Sequence, residues 1–280
     1  MTQTPDTLLQ ATSPGTGDQV RIEIRASGRV DLILNRPDKH NAFNASFIAD
    51  LLAGLTQLAG DDRVKLLVLR SEGRHFSAGA DLEWMRAQGQ ASHADNLKDA
   101  SELARLMESV DRFPCPVICR IQGSAFGGAL GLIACCDIAI ASQDSRFCLS
   151  EVKLGLAPAV ISPYVNRAIG ARWMRRYTLT ADLFGANDAL AMGLVHQVVE
   201  TEALDTAVTT QVERLLLNGP QAMRTAKHLL AAIDQRPITP ELTQLTTQTI
   251  ADLRVSAEGQ EGLTAFLNKR KPAWQGEPSA

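Results

Sequence analysis

The run Val64-Lys-Leu-Leu-Val-Leu69 is apolar at five of six positions and is bounded by charge at Asp61-Asp-Arg63 and Arg70. It is too short for a helix core and too continuous for a strand with one wet face. It predicts a strand buried on both faces, the kind found in parallel sheets covered by helices. Working outward, Val20 to Arg25 alternates apolar and charged residues, and Val30 to Leu34 is its partner across Ser27-Gly28. Asn44 is placed to cap a helix whose residues Phe47, Ile48, Leu51, Leu52, Leu55 and Leu58 share one face, and Gly60-Asp-Asp62 ends it. A helix over about Ala94 to Val110, a strand at Val117 to Ile121, a short helix at Gly128 to Cys135 and a strand at Ile138 to Ala141 follow. Strands alternating with helices predict an α/β core.

After about Val199 the strand signals stop, and Leu204 to Leu217, Pro220 to Ile233 and Pro240 to Leu267 read as helices. Their apolar faces must cover either this chain's core or another subunit. The organisation expected is a loose polar tail over 1–18, a core over 19–199 and a helical region over 200–280.

Composition narrows the function. A net charge of −3 gives no bulk attraction for nucleic acid or an anionic membrane surface, so neither is an expected partner. No apolar run approaches the ~20 residues of a membrane span, and the polar N-terminus lacks the basic start and apolar stretch of a signal peptide. The five cysteines, an odd number in apolar surroundings, suggest reduced core thiols and a cytoplasmic location. Cys115 and Cys119 have no matching Cys or His pair, so no metal site is expected.

Three segments carry the chemistry: His75-Phe-Ser-Ala-Gly-Ala-Asp81, Ala125-Phe-Gly-Gly-Ala-Leu-Gly131 and Cys148-Leu-Ser-Glu151. Two are turns of small residues that let backbone N–H groups approach a ligand closely. The third holds a single carboxylate in an apolar stretch. Donors for a developing oxyanion and an acid for the adjacent carbon suit chemistry on a carbonyl. Gly128 would open a helix, where free N–H groups favour negative charge. Asp81 reads as the N-cap of the helix that follows, and Asp137 as structural.

These segments resemble the enoyl-CoA hydratase/isomerase (crotonase) superfamily. The resemblance runs from about Val20 to the C-terminus. It takes in Leu34-Asn-Arg-Pro37 with Asn41-Ala42, the turn at Phe76 to Asp81, Gly123, Phe126-Gly-Gly128, Cys136-Asp-Ile138, Phe147 with Glu151, Lys153-Leu-Gly155, Pro158 and Ala191-Met-Gly-Leu-Val195. It implies an α/β, crotonase-like spiral of ββα units with a C-terminal helical region that drives formation of a homotrimer or a hexamer of two trimers. It also implies an acyl-CoA thioester substrate, with coenzyme A part of that substrate and no separate cofactor. The thioester oxygen would sit between the N–H groups of Ala80 and Gly128, and Glu151 would move the proton at the α-carbon. Ala78 would contact the adenine side, and Lys39, with Arg36 and Arg74, is a candidate for the CoA phosphates. Trp84 would line the acyl pocket, while Phe266 and Lys269 would reach a neighbouring subunit's CoA site.

The chain departs from the family where hydratases carry a second glutamate, the one that activates water. That position is Gly131, a candidate substrate-binding position where a side chain would crowd an acyl group that is branched, and a glutamate would repel one that carries a second carboxylate. Two activities fit one carboxylate: hydration with another source of water activation, or a double-bond isomerase using Glu151 alone. A non-catalytic acyl-CoA-binding relative is a third reading. The local text is similar to hydratases of methylglutaconyl-CoA, from leucine breakdown, and of isohexenylglutaconyl-CoA, from acyclic terpene breakdown. The resemblance therefore implies hydration of a 3-substituted glutaconyl-CoA.

Overall fold

The computed structural model describes residues 6–15 and 17–276. Among them the strands are β1 (Leu8–Thr12), β2 (Val20–Arg25), β3 (Arg29–Leu34), β4 (Leu66–Ser71), β5 (Val117–Ile121), β6 (Ser124–Phe126), β7 (Ile138–Ser142), β8 (Arg146–Cys148), β9 (Phe184–Gly185) and β10 (Gln197–Val199). The helices are α1 (Ala45–Ala59), α2 (Leu82–Gln88), α3 (His93–Asp111), α4 (Gly128–Cys135), α5 (Ser162–Thr180), α6 (Ala186–Met192), α7 (Leu204–Leu216), α8 (Pro220–Ile233), α9 (Pro240–Val255) and α10 (Ala257–Leu267).

A seven-stranded sheet runs β1-β2-β3-β4-β5-β7-β10, antiparallel across its first three strands and parallel from β3 onward. A smaller sheet, β6-β8-β9, stands beside it. The chain builds both by repeating one unit. β5, β6 and α4 form one ββα turn, and β7, β8 and α5 form the next; the first strand of each joins the large sheet and the second joins the small one. The expected α/β spiral is the observed fold.

β4 behaves as its apolar run predicts. Leu67 and Leu69 enter the main core with Val117, Cys119 and α1, while Leu66 and Val68 enter a second core with Ile118 and Ile140. Alternate side chains thus serve two apolar layers. α1 starts where its cap predicts: the Asn44 Oδ1 accepts a hydrogen bond from Phe47 N–H at 2.8 Å, a contact worth about 1 kcal/mol. Its apolar face from Phe47 to Leu58 is buried against the sheet.

Three expectations change. Residues 8–12 of the presumed loose tail form β1, whose backbone pairs with β2 at an otherwise open edge; residues 1–5 lie outside the described residues. The boundary at 199/200 does not separate layers, because Leu204, Val208 and Val212 of α7 cover the second apolar layer of the sheet. The long helix read over Pro240 to Leu267 is two helices. Ser256 breaks it in extended backbone, and its side chain caps α10 through Gly259 N–H at 3.0 Å. A hydroxyl that accepts from the backbone competes with continued helix, which is why the sequence period alone overruns the break. α8 is tied to the core by Lys227, which reaches Asp137 at 2.7 Å, and by Arg224, which donates to the Val64 carbonyl at 2.7 Å.

Candidate active site

The three chemistry-bearing segments meet because short backbone ladders bind them together. Phe76 N–H donates to the Gln122 carbonyl, Ser77 N–H to the Ser124 carbonyl and Phe126 N–H to the Ser77 carbonyl, at 2.9 to 3.1 Å. These bonds join the first turn to the second. Gly127 N–H then donates to the Cys148 carbonyl at 2.9 Å, which joins the second turn to the segment carrying Glu151.

In the first turn, Phe43 N–H donates to the Gly79 carbonyl and Asp81 N–H donates to the Phe43 carbonyl. In such a parallel bridge the residue between those partners, Ala80, turns its own N–H away from Phe43. Gly79 takes φ +95°, and a Cβ there would stand 3.3 Å from the Phe126 carbonyl oxygen. Asp81 caps α2 as expected, accepting from Glu83 N–H at 2.9 Å. It also pairs with Arg36 at 3.0 Å. Burial pushes the Asp81 carboxyl up, but Arg36 and the N–H groups of Glu83 and Trp84 outweigh it and hold the group below the usual carboxylate range.

In the second turn, Gly127 takes φ +54° and leads into α4, whose first residue is Gly128. The first N–H groups of a helix have no partner within it, so Gly128 N–H is free for a ligand. Gly127 must also be bare, because a Cβ there would stand 3.2 Å from Glu151 Oε1. Glu151 opens a short 3-10 turn, Glu151–Leu154. Its Oε2 is buried without a hydrogen-bond partner. Burial pushes its carboxyl above the usual range, which favours the protonated form that an acid must start from.

Ala80, Gly128 and Glu151 line one cavity of about 340 Å³, with Trp84, Leu103 and Ile161 on its apolar walls. At the junction of α2 and α3, Gln88, Asn96 and Asp99 add polar groups to the lining. Gln88 donates to Asp99, and Asn96 donates to the Gln88 carbonyl at 3.1 Å. Sequence reasoning missed this trio. Its signal is a register: Asn96, Asp99 and Leu103 continue the stripe of the buried Leu106, Met107 and Val110 along α3. A larger cavity of about 650 Å³ lies elsewhere, between Arg29, Arg70 and Arg120 of the sheet and α7. Two of its arginines are engaged by carboxylates, Arg29 with Asp31 at 2.8 Å and Arg120 with Asp205 at 2.6 Å.

The remaining expected site residues fall as follows. Ala78 N–H donates to the His40 carbonyl at 2.9 Å, which leaves its carbonyl for a ligand. Lys39 is exposed at the end of a short 3-10 turn. Arg36 is not available for a phosphate, since its guanidinium is held by Asp81 and the Ala42 carbonyl. Phe266 is 81% exposed at the end of α10, with Lys269 exposed just beyond it. Gly131 does not reach the cavity wall. It is buried, and a Cβ there would lie 2.4 Å from Ile161 Cγ2 and 2.8 Å from Met107 Sδ. The space expected for an acyl group is filled by these two side chains.

The family model for enoyl-CoA hydratase/isomerase matches residues 26–277. The chain is similar to an enoyl-CoA hydratase of Shewanella pealeana of known crystal structure, at 47% identity and TM-score 0.88, covering 91% of this chain and 96% of that one. It is similar to Pseudomonas aeruginosa AtuE at 33% identity and TM-score 0.89, covering 92% and 100%. The enoyl-CoA hydratase ACTT6 of Alternaria alternata is 32% identical over 266 residues, 94% of this chain and 86% of that protein. The chain therefore belongs to the enoyl-CoA hydratase/isomerase family, as a hydratase-type enzyme.

Proposed function

We propose that this enzyme adds water to the 2,3 double bond of an enoyl-CoA, with the thioester oxygen held by the N–H groups of Ala80 and Gly128 and the proton at C2 delivered by Glu151. One observation carries the reading: a buried carboxyl with an unpartnered oxygen stands in the wall of the cavity that also holds both backbone donor turns. Donors fixed in place before reaction lower the cost of charge developing on the thioester oxygen. A carboxyl whose pKa is raised by burial is a competent acid for the adjacent carbon.

Within the enoyl-CoAs we infer a 3-substituted glutaconyl-CoA, methylglutaconyl-CoA or isohexenylglutaconyl-CoA. Trp84, Leu103, Val160 and Ile161 offer an apolar wall for the substituent at C3. A specific observation favours a second reading, an enoyl-CoA whose acyl group carries no second charge. Among the described residues the lining contains no Lys, Arg or His to neutralise a second carboxylate. The experiment is an incubation of purified protein with methylglutaconyl-CoA, isohexenylglutaconyl-CoA, crotonyl-CoA and a 3-enoyl-CoA, with products identified by mass. Hydration of either glutaconyl substrate at the highest kcat/KM supports the first reading, and preference for crotonyl-CoA supports the second. A moved double bond with no gain of water identifies an isomerase.

We also infer a trimer or a pair of trimers. Leu230, Ile238, Val255 and Phe266 of the helical region are exposed, and apolar faces of this kind are covered in an assembly. Phe266 and Lys269 would then reach a neighbour's CoA site. No helix among the described residues is long and apolar enough to cross a membrane. Five free, buried thiols support a cytoplasmic setting.

A further inference from the structure

Adding water across a double bond moves two protons. One arrives at C2, and one leaves the water as its oxygen bonds to C3. The second proton needs an acceptor near the first. Gly131, three residues into α4 from Gly128, provides none, and Ile161 and Met107 close the space beside it. Its neighbours Ala129, Leu130 and Leu132 are apolar and buried. Among the described lining residues the only other carboxylate is Asp99. Asp99 precedes Met107 by eight residues on α3, which places it about 12 Å back along the helix axis at ~1.5 Å per residue. Met107 is the α3 residue that flanks Gly131, so Asp99 lies well along the helix from that position, and it accepts from Gln88. His75 does not line the cavity, and its Nδ1 accepts from Ser124 N–H at 3.0 Å.

We propose that the single carboxyl of Glu151 carries both protons, one on each oxygen; this rests on the reading of the enzyme as a hydratase. Glu151 begins protonated. The water oxygen bonds to C3 while the water gives a proton to the unprotonated carboxyl oxygen. The π pair moves toward the thioester, whose oxygen takes negative charge between Ala80 N–H and Gly128 N–H. In the same concerted step the other carboxyl oxygen gives its original proton to C2 and the thioester C=O re-forms, so the carboxyl never holds two protons at once. The carboxyl ends with one proton, as it began, and the product is a 3-hydroxyacyl-CoA with no other reactant consumed. The surroundings of Glu151 suit this exchange. Its Oε2 has no competing partner, and the bare Gly127 leaves space against Oε1.

The test is the pH dependence of kcat/KM for hydration by the full chain, using whichever enoyl-CoA of the four is turned over fastest. Circular dichroism at each pH restricts the data to folded protein. Because only the protonated carboxyl is active, the expected profile is flat at low pH and falls tenfold per pH unit above the Glu151 pKa. Glu151→Gln should lose at least ~10²-fold across the profile. Asp99→Asn should keep the single-limb shape, whatever it does to KM. A rising limb on the acid side in folded wild-type protein would overturn the proposal, since it would report a second group that must be ionised. Loss of that limb in Asp99→Asn would assign the role to Asp99. If wild-type protein hydrates none of the four substrates, the hydratase reading itself fails, a result no pH profile can mimic.

Discussion

Ile161 stands where a side chain at Gly131 would be: a Cβ built on Gly131 lies 2.4 Å from Ile161 Cγ2. The two residues are 30 positions apart, and their contact closes the α4 side of the active-site cavity. A carboxylate therefore cannot be added at 131 without moving a buried residue that is 2% exposed.

Gly131→Ala should destabilise the protein by about 1–3 kcal/mol, the usual cost of overpacking a dense core. Gly131→Glu should cost more, since it also buries a charge. Thermal melts and enoyl-CoA assays on both variants check this. The single Gly131→Glu exchange is expected to lose activity on crotonyl-CoA and on the glutaconyl substrates together. A gain on crotonyl-CoA in a stable Gly131→Glu protein would show that Ile161 yields easily.

The raised pKa of Glu151 has a consequence for stability. A carboxyl whose folded pKa lies above its unfolded one favours folding when protonated. That contribution is fully present below the unfolded pKa and is lost as pH rises through the folded pKa. Glu151→Gln removes the ionisation. The variant should melt at a higher temperature than wild type at pH 8 and at a nearly equal temperature at pH 4. Equal differences at the two pH values would mean that Glu151 is not held in a desolvated site.

Arg36 braces the first turn from behind, holding Asp81 at 3.0 Å and the Ala42 carbonyl while remaining mostly buried. Breaking such a pair leaves a buried carboxylate alone, at a cost of about 3–5 kcal/mol. Arg36→Met should lower the melting temperature and reduce kcat/KM through displacement of Ala80. An unchanged Kd for free CoA would confirm that Arg36 does not hold a phosphate. A large selective loss of CoA affinity, with stability intact, would reverse this assignment.

Sedimentation at micromolar concentration should show a trimer or a larger multiple, not a monomer. Phe266→Asp should shift the distribution toward smaller species or weaken CoA binding, because Phe266 is 81% exposed in the single chain. A stable monomer with full activity would refute both the assembly and the shared CoA site.

The sequence determined whatever depends on neighbours along the chain. The apolar run at 64–69, the Asn44 cap and the small-residue helix at Gly128 each follow from period, capping chemistry or size, and each forms within a few residues of where it reads. Val64 itself stays outside β4, and Ser256 breaks the last long helix, because a strand's start and a hydroxyl's choice of partner depend on what packs there. The candidate site was legible as three segments, since glycines in turns and a lone carboxylate among apolar residues are local signals. Only the tertiary structure decided which atoms those segments share. It engaged Arg36 with Asp81 rather than with a ligand, and it set Asn96 and Asp99 on the cavity wall through the register of α3. It also filled the space beside Gly131 with Ile161 and Met107. The physical reason is the same in each case: an absent side chain in a sequence does not say whether the vacated volume is open or taken, and dense packing by residues remote in the chain settles it.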